Sequence, residues 1–392
     1  MKVHTMESLV GESNMSEVLE PCEGWLSSWF PWLRWTPTSA KEVKEAEERL
    51  LAHCQLQSQG FYVNVGKVGG RECRVWTRRF GQPEDGAARA PLVLVHGMGA
   101  GLAMFVLNLD SLASQGRLVY AIDLPGFGRS SRVRFSPEPE KIEAEYVECL
   151  EQWRQRLGLG RIHLLGHSFG GYLTALYSLK YPDSLQTATL ADPWGMTPRL
   201  EDTAAQPQGA QRRQVPGWVR ALAKVLANFN PLWGLRAAGP AGPWLVARTR
   251  PDIMRKYEAL LGPGSRLVSS YIFHCNGHTP TGETAFHSLM SGFGWANNPI
   301  LPRLHALNNN GIKMVQLVIS SSLHYILPFS VRMKVLYGSN SWMTHLTQGD
   351  FSNAGVAASV DVEYIDNAGH HIYADQHQQF NHVINDFLKE ND

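Results

Sequence analysis

The run Arg161-Ile162-His163-Leu164-Leu165-Gly166-His167-Ser168-Phe169-Gly170-Gly171 leaves this chain few ways to fold. An apolar, strand-like stretch enters a G-x-S-x-G pentapeptide, and helix-favouring residues from Tyr172 to Tyr181 leave it. The pattern is strand, sharp turn, helix. In such a turn a side chain two residues to either side of the serine would clash, so glycine stands at Gly166 and Gly170 and the Ser168 hydroxyl projects free. A Gly-rich turn with an idle surface serine is the plainer reading of the pentapeptide alone. The strand before it and the helix after it favour a nucleophile elbow.

The same rhythm extends in both directions. Phe61–Val65 and Cys73–Thr77, separated by Gly69-Gly70, read as a hairpin. Pro91–Val95 is an uninterrupted apolar run, the composition of a strand buried on both faces in a parallel sheet. Helical Met104–Leu112, strand Leu118–Ile122, a Gly/Pro/Ser-rich loop from Asp123 to Ser131, a helix over about 140–157 and strand Gln186–Leu190 follow. Strands Arg332–Tyr337 and Val360–Ile365 and a last helix, Gln378–Lys389, close the pattern. Alternating strands and helices predict an α/β architecture, a mostly parallel sheet with helices on both faces.

Between Trp194 and the late strands the rhythm breaks. Residues 196–300 are punctuated by proline and glycine and lean to helix over 218–229, 245–248, 252–261 and 285–292. They read as an inserted helical cap roofing an apolar pocket. Arg236, Arg248, Arg250, Arg255 and Lys256 are its candidates to meet a phosphate head group, although such side chains are more often solvated surface charges. The expected organisation is a start and amphipathic helix over 1–57, core over 58–195, cap over 196–300, and core again over 301–392.

Charge and cysteine usage exclude several classes. Of 392 residues, 36 are Lys or Arg and 35 Asp or Glu, a formal net charge of +1, so there is no basic field of the kind nucleic-acid binding needs. The 5 cysteines are widely spaced and lack a C-x-x-C pair, which suits buried thiols in a reducing compartment and implies neither a disulfide framework nor a zinc site. No run is long and apolar enough to span a bilayer, and nothing near Met1 reads as a signal peptide. The expected location is cytoplasmic, with any membrane contact peripheral. Trp25, Trp29, Trp32 and Trp35 supply that contact: 4 of the 12 tryptophans stand together, and rings with one apolar side and one N–H donor suit a lipid–water boundary. The alternative for this segment is a flap packed on the domain.

A serine hydroxyl attacks a carbonyl at neutral pH only when a base takes its proton and fixed donors hold the oxyanion. His370, in the loop between the last strand and last helix, is the expected base, with His371 as competitor. The expected oxyanion donors are the Met98 N–H, in the turn His96-Gly97-Met98-Gly99 after a core strand, and the Phe169 N–H.

Taken together, Gly24–Trp29, His96–Gly99, Asp123–Arg132, Gly166–Asp183, Asp192–Gly195, Phe229-Asn230-Pro231, Arg250-Pro251-Asp252, Gly282–Phe286 and Gly369–Asp375 resemble the abhydrolase domain-containing proteins four and five. The resemblance runs from about Gly24 to Phe387 and implies an α/β-hydrolase fold, a mostly parallel sheet with helices on both faces and an inserted helical cap. It also implies glycerophospholipid or N-acyl-phospholipid hydrolysis, acylation of lysophosphatidic acid with acyl-CoA as co-substrate, or activation of a triacylglycerol lipase at lipid droplets. No metal or redox cofactor is implied. The family's His-x4-Asp element, linked to acyl transfer, corresponds to His370 and Asp375; structurally, Asp375 is alternatively a cap of the last helix. The lipase-coactivating branch carries asparagine where this chain has Ser168, so the serine resembles the hydrolytic branch.

Two departures stand out. Relatives carry an aspartate just before, or two residues after, the tryptophan that follows the penultimate strand; here those positions are Ser341 and Thr344, around Trp342. Asp192, after the strand that follows the elbow, and Asp350, further along the same loop, are the remaining candidates for the acid. About twenty residues, 308–328, are interposed before the penultimate strand and include the apolar run Met314–Leu327. The expected function is a serine-dependent lipid hydrolase or acyltransferase acting on acyl-glycerophospholipids at a droplet or membrane surface; the alternative is a non-catalytic droplet protein that activates a triacylglycerol lipase.

Overall fold

Alternation within the central strands decides which core each side chain enters. In β3 (Leu92–Val95), Val93 and Val95 join one buried cluster with Tyr146, Trp153 and Tyr177, while Leu92 and Leu94 join another with Leu109, Phe380 and Ile384. The period of two puts successive residues on opposite faces of a sheet covered on both sides. The chain is described by a computed structural model over residues 38–82, 89–114, 116–198, 232–292, 294–303, 331–354 and 360–392. The expected anchor at Trp25, Trp29, Trp32 and Trp35, the helix over 218–229 and the segment 308–328 lie outside these residues.

Eight strands form the main sheet. The remaining seven are β1 (Ser58–Val68), β2 (Arg71–Phe80), β4 (Val119–Ile122), β5 (Ile162–His167), β6 (Leu185–Ala191), β9 (Arg332–Gly338) and β10 (Val360–Ile365); β7 (Met290–Ser291) and β8 (Trp295–Ala296) make a separate small hairpin. The order is β1-β2-β4-β3-β5-β6-β9-β10, antiparallel at the β1/β2 and β2/β4 pairings and parallel elsewhere. The carboxyl ends of β3, β5, β6, β9 and β10 therefore meet along one edge, where crevices for ligands form in such sheets.

Helices α1 (Ala40–Leu51), α2 (Val106–Ala113), α3 (Pro139–Arg156) and α4 (Phe169–Lys180) belong to the first half of the chain. Ser39 opens α1, its hydroxyl accepting the Glu42 N–H at 3.3 Å. Glu47 on this helix is fully buried yet satisfied, accepting from Trp76 Nε1 (3.0 Å), Arg78 Nε (3.0 Å) and Arg129 Nη1 (2.9 Å). Losing either arginine would leave the buried carboxyl with one cation instead of two, so this cluster ties α1, the β1/β2 hairpin and the loop after β4 into one arrangement.

Between β6 and β9 the described helices are α5 (Trp233–Ala237), α6 (Gly242–Thr249), α7 (Pro251–Lys256), α8 (Glu258–Leu261), α9 (Leu267–Asn276) and α10 (Thr281–Ser288). The single helix expected over 252–261 is two short ones meeting at Tyr257, whose hydroxyl donates to the Met104 carbonyl at 2.7 Å. The α9 helix was not expected from the sequence, because Leu267-Val268-Ser269-Ser270-Tyr271-Ile272-Phe273 is apolar on nearly every side and offers no amphipathic stripe. It lies across the turn after β3, where the Tyr271 hydroxyl accepts the Ala103 N–H (3.2 Å) and Asn276 Nδ2 donates to the Gly99 carbonyl (2.6 Å). After β9 come α11 (Gln348–Asn353), α12 (Ile372–Asp375) and α13 (His377–Glu390).

Candidate active site

Ser168 alone makes the turn between β5 and α4. Its φ of 53° and ψ of −113° lie outside the ordinary regions for a residue with a side chain. Among the described residues the positive-φ non-glycines are Ser168, Asp192 and Asn367, and the first two face each other across one imidazole. Such strain persists where the surroundings over-determine it and clusters at functional sites. The flanking glycines supply that confinement: a Cβ on Gly166 would be driven into the Gly170 carbonyl, and one on Gly170 into the Val95 carbonyl.

His370 Nε2 lies 3.0 Å from Ser168 Oγ, and His370 Nδ1 lies 2.6 Å from Asp192 Oδ2. The carboxylate accepts the Nδ1 proton, which leaves Nε2 as the acceptor facing the serine. Asp192 is fully buried, and its remaining capacity is filled by the Gly338 N–H (3.2 Å to Oδ1) and the Ser341 hydroxyl (2.6 Å to Oδ2). Hydrogen bonds to a carboxylate are shorter and stronger than neutral ones, which compensates the burial of this charge. The indole of Trp342, 71 % exposed, stands 5.1 Å from the His370 ring and shields its outer side.

Phe169 is the first residue of α4, so its N–H is among those with no intrahelical acceptor and is free to meet an anion. The other expected donor, the Met98 amide, is oriented through its own peptide unit. Fully buried His96 accepts the Leu124 N–H at Nε2 (3.0 Å), so its proton resides on Nδ1 and is donated to the Gly97 carbonyl (2.7 Å). A trans peptide puts N–H opposite C=O, so fixing the Gly97 carbonyl fixes the Met98 N–H. Burial pulls the His96 pKa down to about 4, which preserves this neutral tautomer.

The His370 loop is held by three contacts. Asp375 Oδ2 accepts both the Gly369 N–H (2.9 Å) and Lys256 Nζ (2.9 Å), linking the loop to α7. His167 Nε2 lies 2.9 Å from the His370 carbonyl, so it donates its proton there and restrains the main chain of the imidazole. Burial, then the neighbouring His370 charge, pushes the pKa of His167 well below the usual histidine range. His371 is likewise depressed, by burial and then by His167 and His370.

The structure thus brings Ser168, His370 and Asp192 together and sets other expected residues elsewhere. Asp350 is the N3 residue of α11, locked in a capping box with Thr347, its Oδ2 accepting the Thr347 N–H at 2.7 Å. His371 packs against His167 and Tyr373 and turns its carbonyl to the Ala374 and Asp375 amides. Asp375 does not cap the last helix, whose N-cap is Gln376 with no side-chain cap; it closes the histidine loop instead. Ser341, which stands where relatives carry the acid, donates its hydroxyl to Asp192. The part of Lys256 was not legible, since its partner lies 119 positions away. Of the cations expected to meet phosphate, Arg236 is paired with Glu283 at 2.7 Å, Lys256 with Asp375, and Arg250 with Asp252 at 3.0 Å. Arg248 and Arg255 remain exposed. Among the described residues no group of three or more His, Cys, Asp or Glu could hold a metal ion, and no helix is long and apolar enough to cross a membrane.

The model of the family described as alpha/beta hydrolase fold matches residues 90–376. This chain belongs to the α/β-hydrolase family. Among curated proteins this hydrolase is 39 % identical over 362 residues to a (lyso)-N-acylphosphatidylethanolamine lipase of Bos taurus, covering 92 % of this chain and 95 % of the relative. It is 39 % identical over 363 residues to the 1-acylglycerol-3-phosphate O-acyltransferase ABHD5 of Mus musculus, covering 92 % of both. Among solved structures it is similar in fold to the carboxylesterase CesB of Bacillus subtilis, with a TM-score of 0.56 at 19 % identity, covering 89 % of this hydrolase and 98 % of that chain.

Proposed function

We propose that this hydrolase cleaves or transfers the acyl group of acyl-glycerophospholipids through an acyl-Ser168 intermediate. The observation that carries the reading is the continuous hydrogen-bonded line from Ser168 Oγ through His370 to Asp192, with spacings of 3.0 and 2.6 Å. Names of the relatives, a lipase of N-acylphosphatidylethanolamine and an acyltransferase to 1-acylglycerol 3-phosphate, supply the lipid class.

In this mechanism Ser168 Oγ attacks the acyl carbonyl as His370 Nε2 takes its proton. The Asp192 carboxylate, accepting from Nδ1, stabilises the imidazolium, and the Met98 and Phe169 amides receive the oxyanion. His370 then returns the proton to the departing oxygen or nitrogen, or to the coenzyme A sulfur where acyl-CoA is the donor, leaving an ester on Ser168. Water, or the hydroxyl of a lysophospholipid, attacks that ester with His370 again as base. Acyl-CoA is the acyl donor in the transfer reaction. The helices over 232–292 act as a cap, and how much water they admit decides between the two acceptors. A lipid-droplet or membrane surface is the proposed place of action.

A fluorophosphonate probe tests the chemistry, since only an activated serine reacts quickly with it. Native chain should label, and Ser168→Ala and His370→Ala should not. No labelling of folded native chain would move the reading to a non-catalytic partner of a triacylglycerol lipase. Unlabelled native enzyme is then offered lysophosphatidylethanolamine, N-acyl-phosphatidylethanolamine, or lysophosphatidic acid with oleoyl-CoA, and the products separate hydrolysis from transfer.

A further inference from the structure

Arg248 and Arg255, left without carboxylate partners among the described residues, open onto one groove of about 320 Å³. Arg266, just before α9, lines the same groove and is likewise exposed and not ion-paired among the described residues. One acidic side chain, Glu258, lines it with them, so the groove carries an excess of positive charge. Trp244 stands four residues before Arg248 on α6, hence on the same helical face, and is 56 % exposed at the groove wall.

An exposed indole would ordinarily be withdrawn from water, and three guanidiniums lining one groove, unpaired among the described residues, repel one another. Both features become favourable at one kind of boundary: guanidiniums pair with lipid phosphates, and the indole enters the layer between head groups and acyl chains. A polyanion such as nucleic acid fits less well, because the chain as a whole has a net charge of only +1. A free phosphate would account for the arginines and leave the tryptophan unexplained.

We propose that the groove between α6, α7 and the start of α9 seats the phosphate head group of an anionic membrane phospholipid, with Trp244 inserted beside it. This docks the helical segment over 232–292 on the lipid surface. The same α7 carries Lys256 to Asp375, so the docked surface and the His370 loop are joined through one short helix. The inference takes its partner class from the lipid-enzyme reading above, but its test involves no turnover.

The 392-residue chain carrying Ser168→Ala is sedimented with phosphatidylcholine vesicles made with and without phosphatidic acid. Binding should rise with phosphatidic acid. Combining Arg248→Gln, Arg255→Gln and Arg266→Gln should lower partitioning to the anionic vesicles roughly 100-fold and flatten its salt dependence, as removal of three surface cations requires. Trp244→Ala should weaken binding to both kinds of vesicle. Circular dichroism and the thermal midpoint check that each variant is folded, and charge-keeping Arg→Lys changes at the three positions should retain most of the binding. Equal binding of the glutamine variant and native chain would overturn the proposal and assign docking to other segments, Trp25–Trp35 first. Release by inorganic phosphate at an ionic strength where sodium chloride has no effect would also overturn it, in favour of a soluble phosphate ligand.

Discussion

His370 Nδ1 and Asp192 Oδ2 are 2.6 Å apart although 178 positions separate them in sequence. Asp192 leaves the end of β6, and the turn that carries Ser341 leaves the end of β9. The two strands are parallel neighbours, Ala191 pairing with Leu336, so a carboxylate from either end reaches the same imidazole. Asp192→Asn should lower the rate of fluorophosphonate labelling and ester turnover by about 10³- to 10⁴-fold while the fold is kept. Asp350→Asn should leave both rates at the native level and cost about 1 kcal/mol of stability through the lost capping box. The reverse ranking would assign the acid to Asp350.

Ser341 donates to the Asp192 oxygen that also holds His370. A hydrogen bond to a charged group contributes about 1.5–3 kcal/mol, so Ser341→Ala should lower kcat roughly 10- to 100-fold with little change in KM. Ser341→Asp should also be slower than native, because a second carboxylate at that distance repels the first. A native kcat in Ser341→Ala would remove Ser341 from the catalytic arrangement.

Asp375 holds the Gly369 amide and Lys256 at once. Asparagine keeps an acceptor for the amide and loses the ion pair, whereas alanine loses both. The expected order of kcat is native, then Asp375→Asn, then Asp375→Ala, with Lys256→Ala resembling the asparagine variant. Steady-state kinetics on a soluble short-chain ester reads this order, and equal rates for Asp375→Asn and Asp375→Ala would show that the amide bond does not matter.

Gly170 has backbone carbonyls of Val95 and His96 where a Cβ would go. Backbone cannot step aside as the tip of a side chain can. Gly170→Ala should cost about 3 kcal/mol or more in urea unfolding, if the variant accumulates at all. A native midpoint would mean that the elbow is looser than its geometry implies.

Burial lowers His96 and His163 to about 4 and His278 to about 3. In the unfolded chain each titrates near 6.5, so between that value and the folded value the unfolded state binds a proton that the folded state refuses. Stability from these groups is complete above about pH 6.5 and is lost as pH falls toward 4, by about 3 kcal/mol for His96 alone. Asp123, raised to about 6 by burial, runs the other way, gaining a proton in the folded state first. Burial also raises Glu47 and Glu283 and depresses His167, His274, His345 and His371; the seven depressed histidines outnumber the three raised carboxyls, so the urea midpoint should be lower at pH 4.5 than at pH 7. A flat or rising midpoint on acidification would contradict the buried neutral histidines.

The elbow and the parallel core were legible because each rests on local chemistry. Gly166, Ser168 and Gly170 announce a turn that only glycine tolerates, and period-two or continuous apolar runs announce strands. The last helix, expected over 378–389, is observed as His377–Glu390 because its apolar stripe is regular. Helix α9 was missed for the opposite reason, being apolar on nearly all sides.

Sequence by itself determined the class of fold and the strand–turn–helix that carries Ser168, since these follow from residue types a few positions apart. Tertiary structure decided which of two aspartates meets His370, that Ser341 donates to that aspartate, and that Asp375 braces the histidine loop instead of capping a helix. It also sorted the five cations expected to meet phosphate into three that are paired and two that are not among the described residues. Each of those outcomes depends on which strand ends and helix faces become neighbours once the sheet has assembled. Partners 119 to 178 positions apart leave no periodicity or spacing in the chain from which their pairing could be read.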